Sequence, residues 1–328
     1  MLSRVVFACL AAIFLLGIQA ATAIAQQTVD EDDVLRVNTE LLLFPIRIRD
    51  KKGQPVAGLT ENDLTLKDED KVSTGIYFQA GTDRVALLFA LDQSGSLREI
   101  ISQQRDAALA LFSRFSDRSS IAVLRFSDTS TLATPFTQDV DAAQAGFRFS
   151  AGRDQRTAIF DAAAKAVASF DSLPPVRSER RIVILISDGL DTRSTTSSDR
   201  VINAALNGRV SFYVIHLPLF EPRDGRLAVR RPSKGFRELA EKTGGKYFLV
   251  GNEKSPLEPR SNDLTKIFQA IEDDLKSQYL LGFYIAESAR DNRKHVFSLG
   301  LKPDGLEYSV GPLGFSRSHK FMFNQAPK

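Results

Sequence analysis

The sequence predicts an α/β protein: a doubly wound, mostly parallel sheet with one antiparallel edge strand, and a small β module flanking it. Three observations carry this. The run 85–91 is continuously apolar, as expected of a parallel strand covered on both faces, and 182–186 and 210–215 read as two further buried strands. Amphipathic helical segments alternate with such runs from about residue 83 to 287. Outside that stretch the apolar period shortens to two, the signature of half-buried strands.

Taken in order, residues 1–4 are a short positive segment and 5–18 an apolar run of 14 residues. Ala23-Ile24-Ala25 then supplies the small residues that a signal peptidase accepts, so 1–25 read as a signal peptide cleaved before Gln26. A membrane anchor is the other reading, but a spanning helix needs about 20 apolar residues. The only cysteine, Cys9, lies inside this run, so the exported chain would have none, which excludes disulfides and thiol catalysis. Residues 26–36 ("QQTVDEDD" onward) form a polar, acidic, flexible leader.

Residues 37–82 read as the small β module. Phe44, Ile46 and Ile48 alternate with Arg47 and Arg49, and Leu64 and Leu66 alternate again after the Gly/Pro punctuation of "DKKGQPVAGL". A unit this small is marginal alone, so it is expected to pack on the larger α/β unit C-terminal to it. In that doubly wound unit, 83–287, strand 85–91 is followed by a helix over 96–115. A hairpin over 121–126 and 132–136 adds the antiparallel edge. Helices follow at 158–170, 198–208 and 236–242, the last closed by Gly244-Gly245, with strands at 182–186, 210–215 and 247–250 between and after them. A long helix bearing Leu264, Ile267, Phe268, Ile271 and Leu275 runs into a final strand, "YLLGFYIA". The tail, 288–328, returns to β grammar, with "HVFSLGL", "KPDG" and "LEYSV" reading as a hairpin. It is a candidate to complete the N-terminal module, since chain termini often lie close together.

The chain has 328 residues and a net charge of +3, with no basic stripe interleaved with aromatics, so nucleic acid is not an expected partner. The chemistry concentrates elsewhere. In an open parallel sheet, ligands sit beyond the carboxyl ends of the strands. Asp92, Ser94 and Ser96 place an oxygen at every second position where strand 85–91 ends; Asp188 stands at the same end of strand 182–186; Thr157 opens a helix. Taken singly each has a structural role: Ser96 as an N-cap in a capping box, Ser94-Gly95 and Asp188-Gly189 as turns, Thr157 as a cap. Together they form an all-oxygen set suited to a hard cation, Mg²⁺ or Mn²⁺.

"DQSGS", "RTAIFDA" and "ISDGLDT" occur in that order. This trio resembles the metal-ion-dependent adhesion site (MIDAS) of von Willebrand factor type A (vWA) domains, Asp-x-Ser-x-Ser with a distant Thr and Asp. The resemblance implies a Rossmann-like vWA fold and assigns Asp92, Ser94, Ser96, Thr157 and Asp188 to the metal. Asp161, in "IFDA", is a candidate outer acceptor beside them. It implies bound Mg²⁺ or Mn²⁺ and a protein partner whose Asp or Glu carboxylate completes the shell. Gln93 departs from the pattern, where an apolar or small residue is commoner, but it is not a ligand. The wider layout resembles the secreted vWA-related proteins of acidobacterial type: a leader, "DKKGQPVAGLTENDL" before the core and "SQYLLGFY" after it.

The expected function is therefore cation-dependent protein–protein binding by an exported protein, periplasmic or extracellular, with no membrane span after signal cleavage. Two other readings stand beside it. One is an envelope protein whose cation only stiffens loops. The other is Mg²⁺-dependent phosphoryl transfer through Asp92; such enzymes place a second acid two residues on, where this chain has Ser94. None of the HExxH, GxSxG, Walker or GxGxxG patterns is present, and His216, His295 and His319 are the only histidines. The insertion 219–238 carries Arg223, Arg226, Arg230, Arg231 and Lys234. It reads either as a solvated loop or as a flexible basic lip attracting an acidic partner.

Overall fold

The architecture is that of a computed structural model, whose described residues are 40–56, 58–68, 71–72, 76–81, 84–94, 97, 101, 104–115, 117–148, 156–174, 179–251, 264–285, 295–310 and 320–323. The signal-peptide and leader readings and the candidate ligand Ser96 lie outside them.

The chain opens with β1 (Glu40–Arg49), β2 (Leu64–Asp68), β3 (Lys71–Val72), β4 (Ile76–Ala80) and β5 (Val85–Asp92). Then come α1 (Arg105–Phe112), β6 (Ser120–Phe126), β7 (Ser130–Thr137), α2 (Val140–Gly146), α3 (Ile159–Ser169) and β8 (Arg180–Ser187). Next are α4 (Ser198–Asn207), β9 (Val210–His216), β10 (Phe220–Arg223), β11 (Arg226–Val229), α5 (Phe236–Thr243) and β12 (Tyr247–Leu249). The last elements are α6 (Thr265–Lys276), β13 (Gln278–Ile285), β14 (His295–Leu301), β15 (Glu307–Val310) and β16 (Lys320–Phe323).

Six strands form the central sheet in the order β12-β9-β8-β5-β6-β7, parallel except for the antiparallel edge β7. The fold is the predicted doubly wound α/β sheet. Because successive side chains point to opposite faces, the continuous apolar run of β5 divides between two cores. Val85, Leu87, Phe89 and Leu91 pack under α1, α2 and α6, while Ala86, Leu88 and Ala90 pack under α3, α4 and α5. The alanines let α3, itself lined by Ala162, Ala163 and Ala166, approach the sheet closely.

Beside this sheet stand two four-stranded sheets, ordered β15-β1-β13-β4 and β16-β14-β2-β3. They share a core of Ile46, Ile48, Leu64, Leu66, Tyr279, Leu281, Leu299 and Tyr308. Two expectations are corrected here. The strand "YLLGFYIA", placed at the end of the doubly wound unit, is β13, and it pairs with β1 and β4. The expected hairpin over 295–310 does not form: β14 pairs with β2 and β16, whereas β15 pairs with β1. The reason is the shared core. Leu299 stands opposite Leu66 in one sheet and Tyr308 opposite Ile48 in the other, so the intervening turn crosses between sheets to bury both. The Tyr308 hydroxyl ties them, donating to the Leu299 carbonyl at 2.7 Å. N- and C-terminal β segments thus do pair.

A buried polar network joins the two regions. Asp274 on α6 accepts from Arg47 Nε at 3.0 Å, Tyr213 Oη at 2.6 Å and Gln278 Nε2 at 2.9 Å, and pairs with Lys246 at 2.7 Å. Arg180, the first residue of β8, donates to Gln278 at 2.7 Å.

Candidate metal centre at the sheet edge

β5 and β8 are neighbours from which the chain travels in opposite directions, to β6 and β7 on one side and to β9 and β12 on the other. That reversal leaves a crevice at their carboxyl ends, since the loops there diverge. Asp92 is the last residue of β5 and fully buried; Asp188 immediately follows β8 and is 9% exposed. Ser94 and Thr157 are buried at the same edge, at 8% and 4% exposure.

Main-chain hydrogen bonds knit the loops together. Gln93 N donates to Phe126 O at 2.8 Å, Ala158 N to Ser127 O at 2.7 Å and Thr192 N to Thr157 O at 2.8 Å. The strand-end turns use the acids themselves. Asp92 Oδ1 accepts from Ser94 N at 2.9 Å, and Asp188 Oδ1 from Leu190 N at 2.9 Å. Gly189 is required in its turn: φ is +80°, and a Cβ there would lie 2.7 Å from Pro232 Cβ.

The electrostatics of the pair are unusual. Burial pushes the Asp92 carboxyl up to about 6, against hydrogen bonds from Ser94 and Ser187, and the neighbouring Asp188 pushes it the same way. Burial also raises Asp188, offset by the Leu190 amide and by Arg230 nearby. Neutral donors and a second acid leave Asp92 short of positive charge, which a divalent cation would supply. The donor set fits such an ion: carboxylates and hydroxyls, all hard oxygen. Among the described residues no group of three or more His, Cys, Asp or Glu could hold a metal ion, so a cation here would depend on hydroxyl ligands.

Several participants escaped the sequence reading. Ser187 Oγ donates to Asp92 Oδ2 at 2.7 Å, although it stands inside the quoted "ISDGLDT". The start of α3 has no cap of its own; the Asp188 loop caps it in trans. Asp191 Oδ1 accepts from Ile159 N at 2.7 Å, and Ser194 Oγ accepts from Phe160 N at 2.9 Å. Thr157 is therefore not the cap, and its backbone N–H donates to Thr192 Oγ1 instead. Asp161 accepts from the backbone N–H groups of Thr195 and Thr196 at 3.0 and 2.8 Å, bracing the loop that carries Asp188.

The basic insertion borders this edge as an ordered hairpin, β10–β11, turning on Asp224 and Gly225, both at positive φ. Ser233 N donates to Gly189 O at 2.8 Å and Ser233 Oγ accepts from Asp191 N at 2.9 Å, so its end is tied to the Asp188 loop. His216, closing β9, is buried; burial pushes it down to about 4, against a smaller raising influence of the Asp188 backbone. Its Nδ1 bonds the Tyr247 hydroxyl.

Fold and site together define an α/β protein with an oxygen-lined crevice at the switch point of its sheet. Residues 87–190 match the von Willebrand factor type A domain model, a span that contains all five candidate ligands; the chain carries a vWA domain. No curated protein matches the chain. Among solved structures, it is similar to BatB from Bacteroides thetaiotaomicron at 19% identity, covering 58% of this chain and 96% of that one, with a TM-score of 0.42. An aerotolerance-related membrane protein from Bacteroides fragilis NCTC 9343 is 20% identical over 58% of this chain and 98% of its own, TM-score 0.41. Proximal thread matrix protein 1 from the mussel byssus, solved with a zinc occupied MIDAS motif, is 15% identical over 60% of this chain and 49% of its own, TM-score 0.47. The match thus spans about half of that last protein.

Proposed function

We propose that the protein is a divalent-cation-dependent binding module that takes an Asp or Glu carboxylate from a protein partner, outside the cytoplasm. Asp92, Ser94, Ser96, Thr157 and Asp188 would hold Mg²⁺ or Mn²⁺, whose chemistry here is to present a positive, oxygen-seeking position to the partner. One observation carries this: Asp92 is completely buried at the sheet's switch point with its carboxyl raised to about 6, beside a second acid. A site made largely of neutral hydroxyls would leave much of the ion's charge for a partner carboxylate. The reading in which a cation only stiffens loops is disfavoured, because protein hydrogen bonds already brace the loops around Asp92, Thr157 and Asp188. Catalysis is disfavoured because His216 is buried against Tyr247 and no acid stands two residues beyond Asp92.

The test is thermal unfolding of the exported form in EDTA and in Mg²⁺ or Mn²⁺. Cation at one hundred times its Kd is expected to add about 2.7 kcal/mol, a midpoint rise of about 5–10 °C. Asp92→Ala is expected to abolish the rise. A wild type indifferent to both ions would overturn the proposal.

A further inference from the structure

We propose that an arginine-lined cleft beside the metal edge is a second binding site, and that it receives an acidic peptide segment of the partner whose carboxylate reaches the cation. The proposal rests on the cation-binding reading for the identity of the partner, but the cleft stands on its own geometry. It has a volume of about 1010 Å³ and is bounded by the hairpin β10–β11, β12 and the start of α5. Arg223, Arg226, Arg231 and Arg237 line it against a single lining acid, Asp224.

The guanidinium groups are not equivalent. Arg237 is committed, bonded to Glu241 at 2.7 Å and stacked 5.2 Å over the Tyr247 ring. Arg223 faces Glu221 at 3.5 Å. Among the described residues Arg226 and Arg231 have no carboxylate within ion-pair distance. Two unneutralised forks therefore face one cavity, a geometry matched to carboxylate groups. At the cleft wall His216 is buried, and its Nε2 meets no hydrogen-bond partner. Arg230, the other arginine of the insertion, is not part of the cleft; it sits near Asp188 and 3.9 Å from Glu221.

Three features favour a peptide over a small phosphorylated molecule. The volume is at the upper end for small-ligand pockets, roughly 300–1,000 Å³. Ala228, Val229, Pro232 and Leu249 interleave apolar wall between the charges, as suits a chain of side chains rather than one compact anion. The cleft also adjoins the cation edge: Pro232 lines it and packs against Gly189, the neighbour of Asp188. A segment that placed one carboxylate on the cation could lay its next acidic residues along Arg226 and Arg231.

The test uses the full exported chain and a fluorescently labelled decamer of alternating Glu and Ala, followed by anisotropy in Mg²⁺ and in EDTA. Arg226→Ala with Arg231→Ala is expected to weaken binding at least ten-fold in either medium while leaving the Mg²⁺-dependent rise in melting temperature unchanged. Arg118→Ala with Arg200→Ala, which removes two exposed arginines elsewhere, is expected to leave affinity unaltered, separating the site from net charge. Equal weakening by both pairs, or undiminished binding in the cleft variant, would overturn the proposal while leaving the cation site standing. Tight binding of pyrophosphate without binding of the peptide would also overturn it, assigning the cleft to a small phosphorylated ligand. Loss of the Mg²⁺ response with arginine-dependent binding intact would sink the cation reading alone.

Discussion

Asp92 and Asp274 are both buried aspartates of one domain, yet their carboxyls shift in opposite directions. Burial raises both. At Asp274, Arg47 and Lys246 overcome burial and hold the carboxyl down at about 2. At Asp92 only hydroxyl and amide donors oppose it, a second acid stands near, and the carboxyl rests at about 6. The Asp274 network is closed, with its charge met by protein cations and by Tyr213 and Gln278. The Asp92 edge leaves negative charge unmet. The difference marks one as the joint between two folded regions and is what makes the other the candidate cation site.

The largest effect is expected on breaking the joint. Asp274→Ala strands the part-buried Arg47 and loosens the β sheets from the doubly wound domain, costing about 3–5 kcal/mol in chemical denaturation. An effect under about 1 kcal/mol would show that the network is incidental. At the other end the sign reverses: in EDTA at neutral pH, Asp92→Asn is expected to stabilise the protein by about 1–3 kcal/mol, because it removes a charge that burial disfavours, while erasing the response to cation.

Titration sharpens the same contrast. Asp274, lowered to about 2, contributes stability that is complete above about pH 4 and lost as pH falls toward 2. Asp92, raised to about 6, contributes most below its unfolded value near 3.8 and loses that contribution as pH rises through 6. His216, lowered to about 4 from 6.5, acts oppositely, losing stability as pH falls from 6.5 to 4. In EDTA the slopes of Asp92 and His216 are therefore expected to oppose one another between pH 4 and 6.5, with Asp188, which burial also raises, adding to the Asp92 side, and stability is expected to weaken below pH 4. Asp92→Asn should shift that balance toward His216, so that stability falls more steeply from pH 6.5 to 4 than in the wild type; an unchanged profile would show that Asp92 does not titrate in this window. The smallest effect belongs to the trans cap. Asp191→Ala is expected to cost about 1 kcal/mol through the lost bond to Ile159 N and to weaken cation binding by loosening the Asp188 loop.

The parallel strands, the helices between them and the oxygens at the strand ends were legible in the sequence by itself. Each is a one-dimensional property: an apolar run, a 3.6-residue period, a polar residue where an apolar run stops. So was the vWA resemblance, since its trio of motifs is read along the chain. Tertiary structure alone decided the rest. Local pattern could not distinguish a hairpin from two strands in facing sheets, because β14 and β15 alternate identically either way and only the shared core places Leu299 and Tyr308. Nor could it show that Asp191 and Ser194 cap a helix more than thirty residues earlier, or that His216, Tyr247 and Leu249 complete a cleft with the insertion. An aspartate is the same letter at 92 and at 274. What separates them is which charges other elements bring near, and in a low-dielectric interior those neighbours set the protonation of the carboxyl and hence its role.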